Sequence, residues 1–211
     1  VDRSRSYPLE FVMDNIVGTA HILDYARKID NLERFAYFST DEVFGPAPSG
    51  VNYKENDRYN STNPYSATKA GAEELVVAYE NTYGLPSIIT HTMNVFGERQ
   101  NAEKYIPMVI KKVRDNEVVT VHANREKTVA GSRHYIHAED VAEALLFLYN
   151  YDISSLGPDA TGAKCQKFNI VGKEISPIAI TVAPTIPVVA ASKAPTKITD
   201  MPNPPGIGPN S

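Results

Sequence analysis

The chain reads as an α/β protein built on a parallel sheet. Short β-branched or aromatic runs alternate with longer segments whose apolar residues recur at helical spacing. Gly, Pro or Asn residues stand at most changeovers, as chain-reversing loops require. A length of 211 residues suits one domain, with or without an appendage. A chain of about 150 residues already buries roughly 70% of its unfolded surface, so a substantial core is available.

The elements follow in order. Val12, Ile16, Ala20 and Leu23 place a helix over 7–29, with Pro8 in its first turn. Phe35–Ser39 is a short aromatic-rich run followed by turn residues, so it is assigned as a buried strand. Residues 44–63 are rich in Gly, Pro, Asn and Ser and read as a surface loop. A second helix opens at Asn63-Pro64, a cap and first-turn pair. It runs through Ala72, Leu75, Val76 and Tyr79 to about Tyr83, where Gly84 and Pro86 end it. The β-branched run from Ser87 to Phe96 predicts one strand closing on Gly97. A third helix is expected over 103–115 and a short strand over 118–122. Ala138 to Asn150 forms a fourth helix, with acidic residues where the helix dipole favours them. From about residue 174 the character changes. The last 38 residues hold 8 of the 15 prolines and four charged side chains, and show neither helical nor alternating period. They read as an irregular or disordered tail, unable to form a ladder, which gives domain bounds of 1–173 and 174–211.

Charge is mixed and mildly acidic, with 25 Asp and Glu against 21 Lys and Arg. That balance argues against a nucleic-acid or anionic-membrane surface, which wants a basic stripe. No apolar run reaches the length of about 18 residues that a membrane span needs. Cys165 is the single cysteine, so no internal disulfide forms. Its ordinary reading is a buried small residue in a reducing, cytoplasmic compartment. The first residues, Val1-Asp2-Arg3-Ser4, resemble the middle of a protein rather than its start.

Two constellations carry chemistry. Tyr65 and Lys69 are four residues apart on the second helix, about 6 Å along its axis and on one face. An ammonium so placed favours the phenolate, which predicts a Tyr65 pKa below its ordinary value near 10 and a base usable near neutrality. Ser39-Thr40-Asp41-Glu42 lies at the carboxyl end of the first strand, the end at which ligands bind in open α/β sheets. A hydroxyl and two carboxylates there offer a hydrogen-bond donor, an acid and a base. Each alone is also what an amphipathic helix or a polar turn carries. His134, His137, Glu139 and Asp140 suggest a metal cluster only weakly, since an extended segment over 133–137 sends 134 and 137 to opposite faces.

Together the constellations are far more specific. A strand ending Thr40-Asp41-Glu42-Val43-Phe44-Gly45, a loop, then Asn63-Pro64-Tyr65-Ser66-Ala67-Thr68-Lys69 resembles the nucleotide-sugar 4,6-dehydratases of the extended short-chain dehydrogenase superfamily. The likeness runs from Val1 to about Gly172. It takes in Asn15–Thr19, Tyr83–Pro86, Asn94–Gly97, Glu103–Pro107, Ser132-Arg133 and Phe168–Gly172. The resemblance implies a Rossmann-like doubly wound sheet lacking its first half, with the remnant of a small substrate domain. It implies NAD as cofactor, a dTDP- or UDP-glucose substrate, no metal, and a homodimer formed through the helices at 7–29 and 63–83. It implies that Tyr65 takes the C4 hydroxyl proton, with Lys69 on the nicotinamide ribose and Thr40 on the C4 oxygen. Glu42 then takes the C5 proton and Asp41 protonates the departing C6 hydroxyl. Asn94 and Arg133 correspond to residues near the diphosphate, and Lys104 to the segment lining the nucleotide pocket.

The chain departs from that pattern at both ends. The Gly-rich turn that receives a dinucleotide pyrophosphate is absent, so the chain by itself is expected to bind NAD poorly. After Gly172 the family's substrate-domain helices give way to proline-rich sequence. Two further readings stay open: a 4-epimerase of the same superfamily, disfavoured by Asp41-Glu42, and a catalytically silent fragment or interaction protein.

Overall fold

The computed structural model describes residues 2–48, 50–121, 128, 133–159 and 162–175. Among them the helices are α1 (Asp2–Ser6), α2 (Pro8–Phe11), α3 (Gly18–Ala26), α4 (Pro64–Tyr83), α5 (Tyr105–Arg114) and α6 (Ala138–Asn150). The strands are β1 (Phe35–Thr40), β2 (Ser87–Thr92), β3 (Asn94–Phe96), β4 (Arg133–His137), β5 (Gln166–Ile170) and β6 (Lys173–Ile175). Contacts divide the described residues into two compact units, 2–92 with 146–170 and 93–145 with 171–175.

The first unit holds an all-parallel sheet in the order β1-β2-β5. Every residue of the central strand β2 is buried, as expected where a parallel sheet is covered on both faces. Successive side chains of β2 point to opposite faces, so Ile89 and Ile88 enter different cores. Ile89 joins Leu23 and Ala26 of α3, Tyr37 of β1, Ala72 and Val76 of α4, Leu85 and Cys165. Ile88 joins Leu148, Tyr151, Ile153 and Phe168. Helices on both faces of a parallel sheet are the doubly wound arrangement the sequence predicts.

The helix expected over 7–29 is interrupted. Residues Val12–Val17 form a π-helical turn between α2 and α3, and the helix ends at Ala26. Such a turn has a packing role here, because it brings its residues against α4. Asn15 Nδ2 donates to Thr68 Oγ1 at 2.9 Å, and Gly71 leaves room for the Ile16 side chain, which a Cβ there would meet at 3.2 Å. Helix α4 forms as predicted, and local chemistry explains both ends. The Asn63 side chain accepts from the Ser66 N–H while Ser66 Oγ accepts from the Asn63 N–H, and Gly84 closes the helix at φ 69°.

In the second unit β3 runs parallel to β4, and β4 runs antiparallel to β6. Three expectations are corrected here. The single strand 87–96 is two strands, separated at Met93 and belonging to different sheets. No strand occupies 118–121, residue 122 lying outside the described residues; Val118 is exposed, and its carbonyl accepts from Lys112 Nζ rather than from a ladder. The stretch expected to be irregular from residue 174 opens inside a ladder, with Glu174 opposite His134 and Ile175 opposite Arg133. Gly172 makes that ladder possible, since a Cβ there would sit 1.9 Å from the Tyr135 carbonyl oxygen. Residues 176–211 lie outside the described residues.

Candidate active site

At the carboxyl end of β1, Thr40 is buried in extended backbone and caps a 3₁₀ turn, Asp41–Phe44. Its Oγ1 accepts from the Glu42 N–H at 3.3 Å and lies 3.3 Å from Asp41 Oδ1, to which the hydroxyl donates. The turn presents two half-buried carboxylates in adjacent positions. It stops at Gly45, whose φ of 73° and approach to the Asn60 carbonyl leave no room for a side chain. Glu42 is tied to the next element: Asn63 Nδ2, from the cap of α4, donates to Glu42 Oε2 at 3.0 Å. One asparagine therefore starts the helix with its oxygen and holds a carboxylate with its nitrogen.

Tyr65 stands in the first turn of α4, its N–H donating to the buried Ser4 Oγ at 3.2 Å and its ring edge-on to Phe11 at 6.2 Å. Lys69 follows one turn later. Its ammonium donates to the Phe38 carbonyl at 2.6 Å and lies 4.2 Å from the centre of the Tyr37 ring. Thr40, Asp41, Glu42, Tyr65 and Lys69 thus share the first unit, gathered about the carboxyl end of β1 and the start of α4.

The electrostatics correct one expectation. The Tyr65 phenol is raised above its ordinary value, by burial first and then by the charges of Glu42 and Asp41. Lys69 is lowered, because burial disfavours its charge more than Glu73 supports it. The ammonium is engaged with β1, so the lysine one turn away does not set the phenol; desolvation and two carboxylates do. The same fact places both carboxylates within electrostatic reach of the phenol.

The substrate-side candidates lie in the second unit. Asn94 opens β3, and its Nδ2 donates to the His134 carbonyl at 3.1 Å. Arg133 opens β4 with its side chain exposed, and Lys104 stands just before α5. The strands pair so that Asn94 faces Tyr135, two residues from Arg133. Of the histidines, His134 Nδ1 lies 3.1 Å from the Gly172 carbonyl and His137 Nδ1 accepts from the Glu139 N–H at 3.3 Å. No group of three metal-ligating side chains occurs among the described residues, and no helix there is long and apolar enough to cross a membrane.

Sequence reasoning missed a buried polar cluster behind the site. Glu73, fully buried on the stripe that carries Tyr65 and Lys69, accepts from Ser39 Oγ and from the Tyr59 hydroxyl. His91 Nε2 lies 3.1 Å from Glu73 Oε2, and His91 Nδ1 lies 3.1 Å from Asn169 Oδ1. The signal available in sequence was a glutamate at the next i+4 position of a stripe that α4 turns inward.

These features define a Rossmann-like protein with two carboxylates and a phenol gathered about the carboxyl end of a parallel strand. The chain belongs to the NAD dependent epimerase/dehydratase family, which it matches over residues 1–157. It is 36% identical to a dTDP-D-glucose 4,6-dehydratase of Dictyostelium discoideum, over 83% of this chain and 42% of that protein. It is 37% identical to a dTDP-glucose 4,6-dehydratase of Escherichia coli, over 69% of this chain and 44% of that one. A trifunctional Arabidopsis thaliana protein with UDP-glucose 4,6-dehydratase activity is 38% identical, over 83% of this chain and 26% of that one. The crystal structure of a Streptomyces venezuelae dTDP-glucose 4,6-dehydratase with NAD bound superposes with a TM-score of 0.71 at 28% identity, covering 86% of this chain and 52% of that one. The chain thus spans less than half the length of these curated relatives.

Proposed function

We propose that this chain carries the acid–base half of an NAD-dependent 4,6-dehydratase acting on a nucleotide-linked glucose, dTDP- or UDP-glucose. The observation that carries the reading is that two adjacent carboxylates, Asp41 and Glu42, follow β1 while Tyr65 stands in the first turn of α4, whose cap residue Asn63 holds Glu42. A 4-epimerase needs the tyrosine, the lysine and a hydroxyl; a second acid and base beside them suit an elimination. Relatives named as dTDP- and UDP-glucose 4,6-dehydratases support the same substrate class.

The donor set fits the nicotinamide end of NAD, since a phenol and an ammonium one helical turn apart suit ribose hydroxyls. Bound NAD supplies the hydride acceptor for C4 and the hydride donor for C6. Tyr65 removes the C4 hydroxyl proton, and the Lys69 ammonium, held at the Phe38 carbonyl, serves the nicotinamide ribose. Thr40 Oγ1, held by the Glu42 N–H, turns its one proton from Asp41 to the C4 oxygen when substrate binds. Ketone formation acidifies the C5 proton, which Glu42 takes as a carboxylate. Asp41, entering this step in its protonated form, gives its proton to the C6 hydroxyl, which leaves as water, and ends as the carboxylate. Asn94, Arg133 and Lys104 complete the reading as diphosphate and nucleotide contacts, Arg133 through its planar donor fork. A homodimer through the helices at 7–29 and 63–83 belongs to it, supported by the exposed Tyr7, Leu9, Met13, Ile22, Tyr25 and Tyr83. So does a cytoplasmic setting, supported by the free, buried Cys165.

The test is turnover of dTDP-glucose and UDP-glucose with NAD supplied. It is run on this chain and on the chain joined to the Gly-rich NAD-binding segment that the family resemblance calls for. The expected product of the joined form is the 4-keto-6-deoxy sugar nucleotide. A galactose nucleotide as sole product selects the epimerase, and no conversion by either form overturns the reading.

A further inference from the structure

The buried cluster behind the site is larger than packing requires. Glu73 has no exposed surface, yet four elements besides its own helix send polar groups to it. From β1 comes Ser39, the residue before Thr40; from the loop between the acids and α4 comes Tyr59. From β2 comes His91, and from β5 Lys167, whose Nζ is 3.7 Å from Glu73 Oε2 and 2.8 Å from the Tyr59 hydroxyl. Glu73 follows Lys69 by one helical turn and Tyr65 by two. A single carboxylate therefore joins the strand that ends at Thr40 to the helix face that begins with Tyr65.

We propose that Glu73 is a positioning residue for this site: its carboxylate clamps the Thr40 end of β1 to the Tyr65–Lys69 face of α4 and stands one helical turn from the Lys69 ammonium as its counter-charge. The role given to Lys69 rests on the function proposed above. Burial pushes the Glu73 carboxyl up, but bonds from His91, Ser39 and Tyr59, together with the field of His91, outweigh it and hold the group below its ordinary range. Its negative charge in turn opposes the burial that would strip Lys69 of its proton. The groups facing this pair are the Tyr37 ring and the Phe38 carbonyl from β1, Tyr65 from α4, Tyr59 from the loop, His91 from β2, and Cys165 and Lys167 from the β5 side. Of these, Glu73 is the negative charge that supports Lys69.

The experiment measures Lys69 itself. Amines of the 211-residue chain are labelled competitively across a pH series, and the Lys69 peptide is read by mass spectrometry. Only the free amine reacts, so the midpoint of reactivity is the lysine's titration. In Glu73→Gln the midpoint is expected to fall by about one pH unit, because the opposing charge is gone and burial remains. Glu73→Asp, which keeps the charge, restores part of the shift. If circular dichroism shows Glu73→Gln unfolded, the double change Glu73→Gln with His91→Gln, whose two amides bond each other, carries the measurement and shifts in the same direction. A folded variant with an unchanged midpoint overturns the proposal. In a form that turns over, the alkaline limb of the kcat profile moves down with the midpoint, which a merely structural residue would not cause. A midpoint shift without turnover in any form counts against the proposed function alone. Turnover with no shift counts against Glu73 alone.

Discussion

The two units hold their candidate residues in different ways. In the first, Thr40 ends the strand β1, Asp41 and Glu42 stand in the turn after it, Tyr65 and Lys69 stand in the first two turns of the 20-residue α4, and all are bonded to neighbours that are themselves fixed. In the second, Asn94, Lys104 and Arg133 are exposed and stand at or just before the starts of elements, two of them on strands of three and five residues. Proton transfer needs groups fixed to a fraction of an ångström, and a buried scaffold provides that. A charge that meets a phosphate needs reach more than rigidity. The difference predicts that changes in the first unit act on rate and stability together, whereas changes in the second act on substrate affinity alone.

The largest expected effect lies in the first unit. Glu42→Gln keeps the amide within reach of Asn63 but removes the base proposed for C5, so on the proposed function elimination falls by about 10²–10⁴-fold. C4 oxidation continues and reduced cofactor accumulates, visible as trapped NADH absorbance. If both partial reactions disappear together, Glu42 is not the C5 base. Next comes Arg133→Ala in the second unit. It raises KM for the sugar nucleotide by the value of a charge-assisted bond, about 1.5–3 kcal/mol or some tenfold to hundredfold, with kcat little changed. A fall in kcat equal to the rise in KM would erase the contrast between the units.

Asn63→Ala sharpens it from the other side. The cap of α4 is lost, costing about 0.5–2 kcal/mol in a urea unfolding curve. The Glu42 tether goes with it, so stability and elimination rate should fall together. Were only stability to fall, the bond from Asn63 to Glu42 would have no part in orienting the base.

What the sequence disclosed tracks how local the cause is. Both ends of α4 were legible because Asn63-Pro64 and Gly84 act within a turn of themselves. The Tyr65–Lys69 face was legible because helical spacing alone puts two residues on one side. The break at Met93 was not, since the run from Ser87 to Phe96 is continuously β-forming and only its partners divide it. Strand β6 was hidden for a similar reason: its place depends on Gly172 passing the Tyr135 carbonyl, a contact between residues far apart in the chain. Glu73 was hidden most completely, because Ser39, Tyr59 and His91 converge on it from three separate segments.

The sign of the Tyr65 shift is the clearest case, and it yields the smallest effect. Spacing counted Lys69 as the phenol's neighbour, but the ammonium is bonded to β1, and the groups that act are burial, Glu42 and Asp41. A negative charge near a phenol penalises the phenolate, so removing one lowers the pKa. Asp41→Asn should therefore move the ultraviolet titration of Tyr65 down, while leaving it above its ordinary value because burial, the larger cause, remains. The assignment to Tyr65 comes from subtracting the titration of Tyr65→Phe. An upward shift would mean that Asp41 carries a proton and donates it to the phenolate oxygen, and the acid and the base of the site would then be coupled rather than merely adjacent.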